Sequence, residues 1–395
     1  MGKIMSENSG LIIGIDIQEN TTQLSVLDEK DNVPKQVNAF DGKPAVSNPI
    51  PLTHWRLGGD GGNEDSERLC EICSFISSAV DTVKKAAGRM NCEKICITVA
   101  DYEKEVLDFL AAVMERLEFS RSQWCVISHE ESFAYYAYNQ KRELYHPAVL
   151  LLDYSGERLD AYMMASGSRK NLEIIMENRY FLENDNIKAC AGKEFALEDI
   201  EEDIIGWLNE IFSEHIVSVV YLTGKGFDVN KFPDRLTKFL CVKRKVFAGQ
   251  NLYVKGAVFC AAEDVRAGRF AHTVLACNNR ITTGIEVDIS ERGKDRRLRV
   301  IKPGINWYGA ARKMDFIIED IRQINLYMKP CDDSGDYTEQ IDISTIPYRK
   351  GKMTRIEFEV AFLSDAECII TVRDKGFGDF VRSSGKVIEK TLTLR

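Results

Sequence analysis

A chain of 395 residues, 44% hydrophobic and 29% charged, is ordinary globular material long enough for two domains. Its formal net charge of -9 leaves no broad basic field, so nucleic acid is excluded as an expected partner. Apolar stretches run only a few residues and no signal-peptide core is present, so no membrane partner and a cytoplasmic location are expected.

Residues 11–17 (LIIGIDI) are a near-continuous apolar run, as expected of a strand covered on both faces. The run ends near Asp16, turns through Gln18 to Thr22 and resumes over Gln23–Leu27 as a hairpin. After a Gly- and Asp-rich loop, Leu69, Ile72, Cys73, Ile76, Val80 and Val83 recur at helical spacing. A strand (Ile95–Val99), a helix (about Tyr102–Glu118), a strand (Trp124–Ile127) and a helix from about Glu130 follow. The order then repeats. Val149–Leu152 ends at Asp153, a second strand covers Leu159–Met164, and Leu197, Ile200, Ile204, Leu208 and Ile211 mark one face of a helix. Then come a strand (Val217–Leu222), a helix (about Val229–Leu240), a short strand (Lys243–Phe247) and a helix (about Leu252–Ala267). Two halves of one pattern predict an internal duplication. From about Arg280 the period switches to two, as in Ile285, Val287, Ile289 and Ile356, Phe358, Val360, which predicts an antiparallel β domain. The basic run Arg292–Arg299 is expected at a solvated hairpin tip. Eleven scattered cysteines, with Cys70 and Cys73 the one Cys-x-x-Cys and no partner pair, predict reduced core thiols rather than a zinc site.

Asp16 and Asp153 occupy equivalent strand ends. Hairpins that face each other across a cleft can hold phosphates on backbone amides and Mg²⁺ through water between the acids. An Asp there is also an ordinary turn former. Thr223-Gly224-Lys225-Gly226 lies between a strand and a helix, a glycine turn that lets backbone approach a ligand, without the spacing of a P-loop. Glu130 is placed to orient a water, or simply to complement a helix N-terminus. His129 beside it has no partner at ligand spacing.

Several segments stand in a known order: Gly14-Ile15-Asp16-Ile17, Thr98 through Tyr102, Glu130 through Tyr138, Leu152 through Asp160, Leu222 through Gly226 and Lys255-Gly256-Ala257-Val258. Thr283–Glu286, Ile341–Pro347, Ile356–Val360 and Ile370–Gly376 continue it. On these segments the chain resembles the 70-kDa heat-shock chaperone family of the actin-like ATPase superfamily. The resemblance implies a duplicated actin-like (ribonuclease-H-like) α/β ATPase domain over 1–270 with a reduced second lobe. A linker over 271–282 and an antiparallel β-sandwich over 283–395 would follow. It implies ATP or ADP with Mg²⁺ as cofactor, held by Asp16, Asp153, Gly156, Gly224, Gly226 and Gly256, with Asp16 and Asp153 on the metal through water. It implies Glu130 and Asp153 as catalytic residues. Ile285, Phe316, Leu326 and Met328 fall where the family lines its peptide pocket.

The departures bear on activity. Gln18, Glu19 and Asn20 replace a Gly-Thr-Thr run, and Ser155, Gly156, Glu157 and Arg158 replace Gly-Gly-Gly-Thr. The adenine-clamping lobe is short, no catalytic lysine is matched, and no helical lid is expected after the last strand. Asp288 stands where the family has an apolar arch residue. In the linker, Val274 and Leu275 are the only large aliphatics of Thr273–Cys277. Three readings remain open. One is a heat-shock-chaperone-like binder of peptides, unfolded segments or protein partners, with a degenerate nucleotide site and a weak or lost ATPase. Another is an active nucleotide-dependent chaperone-like ATPase. The third is an actin-like scaffold or assembly subunit.

Overall fold

The fold begins on β1 (Leu11–Ile17), buried at every position as a doubly covered strand must be. The computed structural model describes residues 10–394, apart from 29, 31, 40–41, 59–62, 155–157, 170–171, 184–186, 188–195, 228–231, 267, 333 and 379. β1 pairs antiparallel with β2 (Thr21–Asp28), which also pairs with β3 (Val33–Val37) and β4 (Ala45–Ser47). On its other side β1 runs parallel to β5 (Cys92–Val99), and β5 parallel to β6 (Trp124–Ser128). Helices α1 (Asn63–Ala87), α2 (Lys104–Arg116) and α3 (His129–Tyr138) precede β5, precede β6 and follow β6.

The second half repeats this plan with β7 (Ala148–Tyr154), β8 (Leu159–Arg169), β9 (Leu172–Leu182), α4 (Glu201–Glu214), β10 (Val217–Thr223), α5 (Asp234–Cys241), β11 (Lys245–Ala248) and α6 (Leu252–Val265). The strand orders are β3-β2-β1-β5-β6 and β9-β8-β7-β10-β11. In both, the first strand pairs antiparallel with the second and parallel with the strand that follows the first long helix, β5 in one half and β10 in the other. This is the duplicated α/β plan expected from the sequence. Leu197, Ile200, Ile204, Leu208 and Ile211 all lie in the core of the second half, but the one helix expected to carry them is broken: α4 begins at Glu201, Leu197 lies in a separate single turn over Ala196–Asp199, and Ile200 lies between the two. The sequence pattern gave only two strands before the first long helix of each half. β3 and β4 in the first half and β9 in the second are additions, and the fifth helix starts at Asp234.

The chain divides into two compact units, Met1–Gly167 with Ile175–Thr273, and Ser168–Ile174 with Val274–Arg395. The segment expected as a linker contains a strand, β12 (Thr273–Ala276), with Val274, Leu275 and Cys277 buried. Within the second unit Ile174, Val274 and Cys331 form one apolar cluster, which gives that stretch a packed role.

The rest of the second unit is two antiparallel sheets. β14 (Lys294–Ile301), β13 (Thr283–Glu291), β16 (Gln323–Pro330) and β17 (Tyr337–Asp342) make the first. β15 (Ala311–Ile318), β18 (Thr354–Phe362), β19 (Glu367–Asp374) and β20 (Val387–Thr393) make the second. The buried residues Ile356, Phe358 and Val360 of β18 alternate as their period of two requires. The basic run is an edge strand rather than a hairpin tip. Only Arg292-Gly293 make the turn, at φ 54° and 76°, and Arg296, Arg297 and Arg299 pair with Glu291, Asp288 and Glu286. Charge on an edge discourages unwanted strand pairing.

Candidate functional site

Asp16 and Asp153 are each the penultimate residue of a seven-residue buried strand, and each lies opposite a threonine on the parallel neighbour, Thr98 and Thr223. The third helix of each half, α3 and α6, pack on each other between these strand ends. Gly256 makes that crossing possible, because a Cβ there would overlap the carbonyl oxygen of Ser132. The Ser132 hydroxyl in turn donates to the Tyr253 carbonyl at 2.5 Å. Gly256 therefore serves a helix contact, and its expected place on a nucleotide is taken by Ser132.

The helix crossing brings two side chains into the ground between the acids. His129 Nε2 is 2.8 Å from Asp16 Oδ1, and the Gln18 amide donates to Asp16 Oδ2 at 3.1 Å. Both oxygens of a carboxylate only 1% exposed are thus satisfied from within the protein. The His129 ring stacks on Tyr253, with centroids 3.8 Å apart and planes 11° from parallel. The Tyr253 hydroxyl then donates to Asp153 Oδ2 at 2.6 Å. Burial, and after it the Asp153 charge, push the Tyr253 phenol well above its ordinary range, so it stays a donor. A file of carboxylate, imidazole, phenol and carboxylate occupies the span where a Mg²⁺ and its phosphates would lie. The described residues between the two acids do not fit a Mg²⁺–nucleotide.

The glycine turn is closed in the same way. Gly224 has φ 94°, where a side chain would be strained. Its N–H donates to Gln250 Oε1 at 3.1 Å and its carbonyl accepts from Gln250 Nε2 at 2.9 Å. The space beside Gly226 is filled by the ring of Tyr154, which a Cβ would overlap. Glu19 accepts from Thr53 Oγ1 at 2.8 Å, and Arg158 Nε donates to Asp160 at 3.1 Å. Gly156, with Ser155 and Glu157, lies outside the described residues.

Glu130 is buried, at 4% exposure. The acid that caps α3 is its neighbour: Ser128 and Glu131 form a reciprocal capping box, at 2.8 and 3.2 Å. A second buried acid, Glu177 on β9, has no hydrogen-bond partner for either oxygen among the described residues. Burial first, then the charges of Glu130 and Glu131, push the Glu177 carboxyl well up, in favour of its neutral form.

Of the four residues expected to line a peptide pocket, Ile285, Leu326 and Met328 are wholly buried, at 0% exposure. Ile285 lies opposite Met328, and Val287 opposite Leu326, in the β13–β16 ladder. They are brought together, but as core of the sandwich. Phe316 is the exception, half-buried on β15 against Phe358 with centroids 6.1 Å apart. Asp288 points outward and accepts from Tyr327 Oη at 2.6 Å.

A family model described as a family of unknown function, DUF5716, C-terminal, matches residues 62–278. The chain belongs to the DUF5716 family. A second model, a domain of unknown function, DUF8552, matches residues 280–394, so the two meet near the boundary between the structural units. No curated protein matches the sequence. Among solved structures, the type II variant of the Aquifex aeolicus Ppx/GppA phosphatase is 13% identical, with a TM-score of 0.34. The match covers 55% of this chain and 68% of that one. A second structure of the Aquifex aeolicus Ppx/GppA family member is 12% identical, with a TM-score of 0.31, over 54% of this chain and 66% of that one. Among the described residues no helix is long and apolar enough to cross a membrane.

His129, Tyr253 and Gln250 carry the closure, and sequence spacing found none of them as partners. His129 and Asp16 are 113 positions apart, and Tyr253 and Asp153 are 100 apart. The one signal was indirect, since a duplication places the third helices of both halves against the strand ends.

Proposed function

We propose that this chain is a heat-shock-chaperone-like binder of an extended, apolar protein segment that works without nucleotide. The single observation that carries the reading is the Asp16–His129–Tyr253–Asp153 file. Each strand-tip acid already has a protein donor, and an incoming Mg²⁺–phosphate would have to break the stack and strip both hydrogen bonds. Those interactions are buried, where losing a partner costs about 1–3 kcal/mol each.

The reading places the partner on β15. It is the outer strand of its sheet, with Phe316 half-buried and Ile317 about half exposed, and Ile321, also about half exposed, lies in the loop just beyond it. An open strand edge offers main-chain donors and acceptors to an added strand, and the apolar side chains Phe316 and Ile317 stand at its far end, beyond the charged Arg312, Lys313 and Asp315. Leu326 is a core residue, so its substitution would report on folding; Phe316 and Ile317 are the positions that test binding.

The test is fluorescence anisotropy of a labelled Leu-rich heptapeptide with the full chain, with and without Mg²⁺–ATP. Expected is saturable binding at tens of micromolar, roughly 6 kcal/mol. ATP should leave it unchanged, and a Phe316→Asp, Ile317→Asp double variant should lose it. Absence of saturable binding would transfer the weight to the scaffold reading. A severalfold response to ATP would overturn the nucleotide-free reading.

A further inference from the structure

Away from the cleft, three thiols from three elements meet on one face of the first sheet. Cys96 of β5 lies opposite Cys125 of β6 in the parallel ladder, and Cys260 comes down from α6. The three sulfurs lie within 4.8 Å of one another. Cys96 is fully buried, Cys260 is 4% exposed and Cys125 is half-buried, which leaves one way in. Among the described residues this is the one group of three such ligand side chains. Lys94 stands beside it, paired with Asp264 at 2.9 Å and close enough to Cys125 to act on its charge.

The geometry points to Cys96, Cys125 and Cys260 as a trigonal thiolate site for a soft monovalent ion of the Cu(I) class. Three sulfurs around a metal at about 2.3 Å, coplanar with it, stand about 4 Å apart, within the spread observed. Cu(I) is satisfied by three thiolates, whereas structural zinc wants a fourth ligand. The nearby carboxylate, Asp264, is engaged by Lys94. Cys125 is the accessible sulfur of the three, and Cys96 and Cys260 lie behind it. On binding, each thiol releases its proton to solvent and its sulfur gives a lone pair to the ion. No electron moves and the oxidation state of the metal is unchanged. The Lys94 ammonium offsets part of the excess negative charge on the loaded site.

The experiment is an anaerobic titration of the reduced full chain with Cu(I), in competition with bathocuproine disulfonate, followed by X-ray absorption of the loaded protein. Expected is one Cu(I) retained per chain, in a shell of three sulfurs at about 2.3 Å. Retention should fall at least tenfold in Cys125→Ser and be unchanged in Cys73→Ser, which removes a buried cysteine outside the cluster. No copper retained, a two-sulfur shell, or equal retention in Cys125→Ser would overturn the assignment. So would retention of Zn²⁺ with four ligands in preference to Cu(I). Shell and stoichiometry are read on the wild-type protein, so they decide the matter even if a variant does not fold.

Discussion

The two halves of the first unit place an aspartate at the same position of the same strand and then treat it differently. Asp16 sits 1% exposed between an imidazole and a glutamine amide, while Asp153 is 8% exposed and held by a phenol. The third strands differ as well: β3 has five residues, whereas β9 has eleven and carries Glu177 toward the α3 acids. The framework repeats because burial and strand pairing dictate it. The side chains between the repeats answer to no such symmetry, and there the cleft has been filled.

Breaking the crossing that fills it should have the largest effect. Gly256→Ala gains about 1 kcal/mol of helix propensity but drives a methyl into the Ser132 carbonyl. Net destabilisation of roughly 3 kcal/mol is expected, read as a lower denaturation midpoint at unchanged slope. A neutral outcome would mean that α3 and α6 can separate freely.

The two aspartates can then be compared directly. His129→Ala leaves Asp16 without its main donor in a sealed site and should cost about 2–4 kcal/mol. Tyr253→Phe removes only a hydroxyl from the slightly more open Asp153 and should cost about 1–2 kcal/mol. In the double variant the two losses should not add, because the rings stack. Additive losses would show that the file is two separate bonds.

The smallest effect belongs to β9. The Glu177 proton affinity is raised by folding, so its contribution to stability is complete below the unfolded carboxyl value of about 4.3 and is lost as pH rises above it. Glu177→Gln should therefore raise the thermal midpoint, by the equivalent of roughly 1 kcal/mol near neutrality, with a gap that narrows toward pH 4. A gap that widens on acidification would contradict this.

Much of this framework was legible in the sequence, for physical reasons. β1 and β7 announce themselves because strands buried on both faces need unbroken apolar runs, and α4 because one face of a helix must be apolar. β3 (VPKQV) hides behind a proline and two polar residues, and half of β9 faces outward. The site was legible only as far as its aspartates and glycines. His129 and Tyr253 meet through a helix crossing that no spacing encodes, and the three thiols meet across the sheet for the same reason. Ile285, Leu326 and Met328 show the limit from the other side, since an apolar residue reads the same in a core as in a pocket.

The closure of the cleft is tested most directly by calorimetric titration of Mg²⁺–ATP into the wild-type chain and into Tyr253→Ala, with His129 and both aspartates left in place. The account predicts no heat of binding to wild type at concentrations up to the millimolar range, about 4 kcal/mol, and at most weak binding once the ring is gone. Micromolar binding to the wild-type chain, weakened by Asp153→Asn, would contradict it.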